Sequence, residues 1–400
     1  TSTSKYKALL RGVSDDNRLR GTLQFAGAAR TARYSGRVFQ PQNLPSRGLL
    51  PEEDIEFGIE ALKADCADQL FPDVMKLTSS TIRGSIIAPQ GKKLVIADLS
   101  NIEGRLVAWL SGEEWKLQAF TDFDNGTGAD LYKLAASKAY NVLVDQVTKE
   151  QRSHGKVIEL ACGYAGGAGA VLTFAQAYGI DLDDLAVKIK QNAPEDAWQE
   201  AVEFREWMEK QKRNLLGLAP DTFIACDTLK RVWRRSNPAV VDYWEELENG
   251  VRGAIDNPGK KFVLRRVTAI RTGAWLRLIL PSGRALCYPS PKIDEEGRIS
   301  YLGVDQYTKK WKRIPTFSGK LIENLAQAIG RDVMIAALPE AEKRGYETIL
   351  TVHDELVTEA PDTPEFSADM LSAIMSRDLP WSEGLPLAAA GFESCRYKKG

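Results

Sequence analysis

Hydrophobic and polar positions change rhythm several times along this chain, and each change marks an element. Leu94 to Ala97 is an apolar run of strand length that ends on a carboxylate, Asp98. From Ile102 the apolar positions Ile102, Leu106, Val107 and Leu110 share one helical face, which predicts a helix with Glu103 and Arg105 off its buried stripe, near its start. Much later, two β-rich arms, Ile349–Val352 and Leu356–Thr358, flank His353-Asp354-Glu355 and predict a hairpin with those three residues at its tip.

The intervals are equally legible. Residues 20–45 alternate small and polar residues and close on Gln40-Pro41-Gln42-Asn43-Leu44-Pro45, whose prolines predict an extended loop able to hold amides and guanidinium groups against sugar and base edges. Residues 51–77 read as helical, and residues 130–250 lack a convincing strand, so a mostly helical subdomain is expected between the two carboxylate strands. From Arg265 strands return. Trp275–Leu280, a Pro281-Ser282-Gly283-Arg284 turn and Ala285–Tyr288 predict a hairpin, and Lys320–Leu338 predicts an amphipathic helix bearing Gln327, Arg331 and Asp332.

Composition changes this picture in a few places. At 400 residues the chain exceeds one ordinary core, so two or three subdomains are expected. No apolar run approaches the roughly 20 residues of a membrane span, and no signal peptide opens the sequence. Five scattered cysteines without CxxC spacing suggest neither a disulfide framework nor a zinc site, and a reducing cytoplasm fits them, that of a bacterial host if the chain is phage-encoded. The sequence opens on Thr1 in a Ser/Thr/Lys-rich stretch, which reads as a processed or shortened chain.

The formal charge of −1 argues against a nucleic-acid protein, whereas the charge distribution argues for one. Lys5, Lys7, Arg11, Arg18, Arg20, Arg30, Arg33, Arg37 and Arg47 face only Asp15 and Asp16, a local excess of seven. Lys260–Arg277 and Lys309–Lys320 are further basic stretches, while acids gather near Asp181–Glu206. Basic segments around acidic strand ends read as phosphate tracks leading to a metal site.

Candidate chemistry follows from this arrangement. Two strands that each present an aspartate suit a pair of divalent ions, which take carboxylate oxygens and, about 3.5–4 Å apart, hold the attacking and leaving oxygens of a phosphoryl transfer. Thr148-Lys149-Glu150-Gln151 has the form of a capping box. It predicts a helix whose flank carries Arg152, Lys156 and Leu160, with Tyr164 a further step round. Cations at that spacing can hold a triphosphate while the apolar end lies under a base and sugar.

In this order the residues carry a recognisable pattern. Asp98-Leu99-Ser100-Asn101-Ile102-Glu103-Gly104-Arg105 resembles motif A of family A DNA polymerases, Arg152, Lys156 and Tyr164 resemble motif B, and Val352-His353-Asp354-Glu355 resembles motif C. Thr31-Ala32-Arg33 with Gln42-Asn43-Leu44-Pro45 resembles the family's primer-template segment, and Gln327 with Asp332 the helix before motif C.

The resemblance implies an α+β right-hand polymerase with an antiparallel-sheet palm, helical fingers and a largely absent thumb. Residues 1–19 would be a remnant of the thumb–palm junction, 20–125 and 255–400 the palm, and 126–254 the fingers. Asp98 and Asp354 would hold two Mg²⁺ ions, with Mn²⁺ as a substitute, joined by the Leu99 carbonyl, and Glu355 would support them. Arg152 and Lys156 would grip the incoming dNTP, Lys156 also counting as catalytic, with Leu160 under its sugar and base. Glu103 would block a ribose 2′-OH and Tyr164 would stack or gate near the template base. Arg33, Gln42, Asn43, Gln327 and His353 would contact DNA.

The implied partners are primer-template DNA and dNTPs, with no membrane, for a monomeric DNA-directed DNA polymerase of phage type in replication or repair. Departures from the family pattern are Leu160 where it has an aromatic ring, Ser153 for its second arginine and Gly104 for its leucine. A single-subunit RNA polymerase is the alternative that Glu103 opposes. An inactive nucleic-acid-binding relative is opposed by Asp98, Asp354, Arg152 and Lys156.

Overall fold

The computed structural model describes residues 2–45, 49–305 and 308–398; Arg47, counted among the basic residues above, lies outside them. The chain divides into two units. The first holds the chain up to Ile102, Gly330–Pro380 and the segment from Leu387, and the second holds Glu103–Ile329 with Trp381–Pro386.

In chain order, helix α1 (Ser2–Gly12) and two short strands, β1 (Leu23–Gln24) and β2 (Ser35–Gly36), precede helices α2 (Glu53–Lys63), α3 (Ala67–Leu70) and α4 (Val74–Thr81) and strand β3 (Lys92–Leu99). Helices then follow without a strand: α5 (Ile102–Ser111), α6 (Glu114–Asp124), α7 (Leu131–Tyr140), α8 (Lys149–Cys162), α9 (Ala168–Tyr178), α10 (Leu182–Asn192), α11 (Glu195–Lys210), α12 (Pro220–Ser236) and α13 (Pro238–Asp256). Strands β4 (Lys261–Leu264), β5 (Val267–Thr272), β6 (Trp275–Ile279), β7 (Ala285–Pro289), β8 (Lys292–Ile293), β9 (Ile299–Val304) and β10 (Trp311–Thr316) come next. Helix α14 (Ser318–Lys343), strands β11 (Glu347–Val352) and β12 (Glu355–Pro361), helix α15 (Ala368–Met375) and strand β13 (Ala389–Ser394) close the chain. This is the α+β class expected from the sequence, with every paired strand antiparallel.

The first unit is built on a sheet in the order β11-β12-β3-β13. Strand β3 is an inner strand covered on both faces, which is why Leu94 to Ala97 is a continuous apolar run and not an alternating one. Leu94 and Ile96 pack with Leu350, Val357 and Tyr397, each large apolar side chain contributing about 1.5–3 kcal/mol of burial. Beside them β13 comes so close that a Cβ on Gly391 would lie 2.4 Å from the Ile96 carbonyl oxygen, so only glycine fits.

Two local expectations for this unit are corrected. Glu355 is not at the hairpin tip: it already pairs with Val352 as the first residue of β12, leaving a two-residue turn in which His353 takes a left-handed φ of 59°. The Gln40–Pro45 stretch is not wholly extended, because Pro41–Asn43 closes a 3₁₀ turn entered through a left-handed Gln40. The basic amino-terminal segment is also less available than its charge count implied. Arg18 forks onto Glu359 at 2.6 and 2.8 Å, and Arg20 onto Asp16 at 3.0 and 2.6 Å.

The second unit contains the helices from α6 to α13 and two sheets, β4-β5-β6-β7 and β10-β9-β8. Helix α8 lies hard against α7 because residue 155 is glycine; a Cβ there would sit 2.0 Å from the Tyr132 carbonyl oxygen. The buried stripe of α5 is as expected, but Arg105 is not off it. It is 1 % exposed, forks onto Asp124 at 2.6 and 2.7 Å and lies over the Phe120 ring. Helix α6 folds back and converts that flank into interior, a partner no local periodicity reveals. Among the described residues no helix is long and apolar enough to cross a membrane. All five cysteines are free thiols, and burial pushes Cys162 and Cys226 up to about 12.

Candidate active site

In the first unit Asp98 faces outward between buried Ala97 and Leu99, the alternation of a strand leaving its sheet core. Its neighbour across β12 is Glu355, and the Leu99 amide donates to the Asp354 carbonyl at 3.2 Å. This bond latches the end of β3 to the hairpin turn, so both aspartates are set by rigid backbone. Asp98, Asp354 and Glu355 line a cavity of about 500 Å³ together with His353, Gln42 and Ser100. Gln42 clips its loop to the hairpin: its Nε2 donates to the Thr351 carbonyl at 2.9 Å, and the His353 ring Nε2 lies 3.2 Å from the Gln42 carbonyl. Asn43 is exposed beside it.

The donor set is hard oxygen throughout. Among the described residues no group of three or more His, Cys, Asp or Glu side chains is placed to hold a metal ion. Carboxylate oxygens such as those of Asp98 and Asp354 are the ligands that hard divalent cations take. The residues present fit such ions.

Two residues that the sequence did not single out support this site. Tyr397 is 2 % exposed and donates to Glu355 Oε1 at 2.5 Å, and Arg83, 8 % exposed, donates from Nη1 to the Tyr397 hydroxyl at 3.1 Å. Burial, then the Glu355 carboxylate, pushes the Tyr397 phenol far above its ordinary range, so it stays a donor. Arg83 also donates to the Leu44 and Pro45 carbonyls. Arg33 sits in the β1–β2 loop, which Arg331 pins through a bond from Nε to the Ala32 carbonyl at 3.1 Å; Arg331 in turn meets Asp332 at 3.2 Å.

In the second unit the capping box forms as expected, with the Gln151 amide donating to Thr148 Oγ1 and the Thr148 amide to Gln151 Oε1. Arg152, Lys156 and Leu160 share the half-buried flank of α8, while His154, Gly155, Val157, Ile158, Ala161 and Cys162 are buried. Arg152 Nε donates to Asp130, the N-cap of α7, at 2.9 Å. Both cations lie near the Tyr132 ring, Lys156 also near Tyr178, and burial raises Tyr132 to about 12. Tyr164, just beyond α8, donates to Glu103 Oε2 at 2.6 Å. Gln327, half-buried on α14, bonds Glu323 at 3.4 Å.

The profile of DNA polymerase family A matches residues 2–197. A DNA polymerase of Bacillus phage SP02 is 32% identical over 408 aligned positions, covering 100% of this chain and 55% of that protein. The chain belongs to DNA polymerase family A. The DNA polymerase I of Mycobacterium bovis is 38% identical over 84 residues, 21% of this chain and 9% of that one. Among solved structures, the polymerase domain of Pol1 from M. smegmatis, in complex with DNA primer-template and dNTP, shares the fold at a TM-score of 0.56 and 18% identity, over 99% of this chain and 51% of that one.

The chain thus spans about half the length of its phage relative in family A. The residues resembling motifs A and B lie within the matched profile, while Asp354 and Glu355 lie beyond it, inside the span shared with the phage polymerase. Family A polymerases use divalent metal ions.

Proposed function

We propose that this chain is the catalytic part of a DNA-directed DNA polymerase, extending a primer 3′ end with dNTPs by two-metal-ion nucleotidyl transfer. The observation that carries the reading is the latch between Leu99 and Asp354, which fixes two aspartates on adjoining rigid elements at one cavity. Asp98, Asp354 and the Leu99 carbonyl would hold the Mg²⁺ ions, which when bound would supply activation of the attacking 3′-oxygen and neutralisation of the departing pyrophosphate.

This chain's own residues do the remainder. Arg152 and Lys156 match the charge of a triphosphate, with Arg152 exchanging Asp130 for phosphate oxygens. Glu103, held by Tyr164, occupies the space of a ribose 2′-OH. Leu160 packs against sugar and base. Arg33, Gln42, Asn43, Gln327 and His353 contact the DNA, reading pair geometry in the minor groove with little sequence information. In this reading residues 20–125 and 255–400 act as palm and 126–254 as fingers, in a monomer of phage type.

Primer extension with dNTPs, compared with rNTPs, tests this directly. Asp98→Asn and Asp354→Asn should each abolish extension while leaving circular dichroism unchanged, because each removes charge that the ions need. A variant retaining more than a few per cent of activity at saturating Mg²⁺ refutes the assignment.

A further inference from the structure

The sheets of the second unit leave one kind of surface that the proposed chemistry does not use. Strand β6 alternates, burying Leu276 and Leu278 and turning Trp275 and Arg277 to solvent, with Trp275 44 % exposed. Strand β4 turns Lys261 to that same face, one strand beyond the partner of Arg277 in register. On the second sheet, β9 and β10 bury Ile299, Tyr301 and Thr316 and turn Trp311 and Arg313 outward, with Trp311 62 % exposed on an edge strand. The two surfaces meet. Arg313 Nη1 donates to the Ser290 carbonyl at 3.1 Å, and the Ser290 amide donates to Ala274, the residue before Trp275.

Single exposed rings are ordinary on a protein surface, so what distinguishes these two tryptophans is the arginine that each carries beside it on one surface. A protein partner would favour a contiguous apolar patch depleted of charge at its core. Here each tryptophan is instead interleaved with an arginine two residues away on its own strand, and residues 260–277 contain no acid at all. Of the neighbouring acids, Asp294, Glu296 and Asp305 sit in the turns at the ends of β9 and pair with Arg298 and Lys312, while Asp256, at the end of α13, lines a shallow pocket with Ala274 and Ser290. Flat rings spaced by phosphate-binding groups suit a strand whose bases are unstacked, since a duplex hides the base faces.

We propose that Trp275, Arg277, Arg313 and Trp311 form a track for single-stranded nucleic acid, with the tryptophans stacking on bases and the arginines holding phosphates. This goes beyond the proposed polymerase activity, in which the natural occupant is unpaired template.

The test measures fluorescence anisotropy of a labelled oligothymidylate, and of primer-template with long or absent 5′ overhang, on the full chain without metal or dNTP. Trp275→Ala with Trp311→Ala should weaken oligothymidylate and long-overhang binding tenfold or more, while blunt duplex binding changes less than twofold. Trp275→Phe with Trp311→Phe keeps the rings and should keep most of the affinity. Arg277→Ala and Arg313→Ala should each lower the slope of log affinity against log salt by about 0.7. Unchanged single-strand affinity in the alanine pair overturns the track, as does an equal loss for blunt duplex. If the alanine pair fails to fold, the salt slopes of the arginine variants decide. A wild-type chain that binds the overhang without extending a primer refutes the polymerase activity and leaves the track standing. One that extends normally while the alanine pair binds normally refutes the track alone.

Discussion

Tyr397→Phe removes one oxygen atom from the Arg83–Tyr397–Glu355 chain. Two bonds are lost, the one a buried phenol donates to the Glu355 carboxylate at 2.5 Å and the one it accepts from Arg83 Nη1 at 3.1 Å, and a hydrogen bond to a charged group contributes about 1.5–3 kcal/mol. The phenyl ring keeps its packing against Leu94 and Ile96 and its place under the Arg83 guanidinium, 5.3 Å from the ring centre, so little apolar burial is lost. Arg83 retains its bonds to the Leu44 and Pro45 carbonyls. A destabilisation of about 2 kcal/mol is expected, read as a lower urea midpoint with an unchanged slope. Glu355→Gln should lose part of the same bond, so the double variant should fall short of additivity by about 1 kcal/mol. Because Glu355 lies between the Asp354 turn and Asp98 across the strand, kcat for primer extension should fall while the dNTP KM holds, Arg152 and Lys156 being untouched. Strict additivity, or a Tyr397→Phe cost below about 0.5 kcal/mol, would refute the claim that this bond holds Glu355.

Glu103→Ala should raise ribonucleotide incorporation by orders of magnitude more than deoxynucleotide use, and Tyr164→Phe, which frees that carboxylate, should give a smaller change of the same sign; kcat/KM ratios decide. The chain should reject dideoxynucleotides tenfold or more, and Leu160→Tyr, but not Leu160→Phe, should remove that rejection, since only tyrosine supplies a hydroxyl for the missing 3′-OH. His154, buried and 2.5 Å from the Tyr140 hydroxyl, has its pKa lowered by burial, so the unfolded chain binds a proton that the folded one refuses. Stability from this group is complete above its unfolded value of about 6.5 and is lost as pH falls below it. Urea midpoints at pH 7 and pH 5.5 should differ for the parent, and His154→Phe should shrink that difference.

The sequence by itself determined what is local or periodic. The run Leu94–Ala97 ending at Asp98, the α5 stripe, the α8 capping box with its Arg152–Lys156–Leu160 flank, and the β6–β7 hairpin were all legible, because helix and strand spacing impose repeats of 3.6 and 2 on burial. What only the tertiary structure decided was partnership. Arg105 looked like a solvated flank because Asp124 reaches it only when α6 folds back. The basic amino terminus looked like a phosphate track, yet Arg18 is taken by Glu359, 341 positions away in sequence. Glu355 looked like a turn residue, yet its register and its bond to Tyr397 make it a strand residue anchored from the carboxyl-terminal end of the chain. Arg83 and Tyr397 carried no signal, since no pattern marks an isolated arginine and tyrosine separated by 314 positions. A buried charge is stable only beside its counterpart, and that counterpart is chosen by packing between distant segments, which local spacing does not encode.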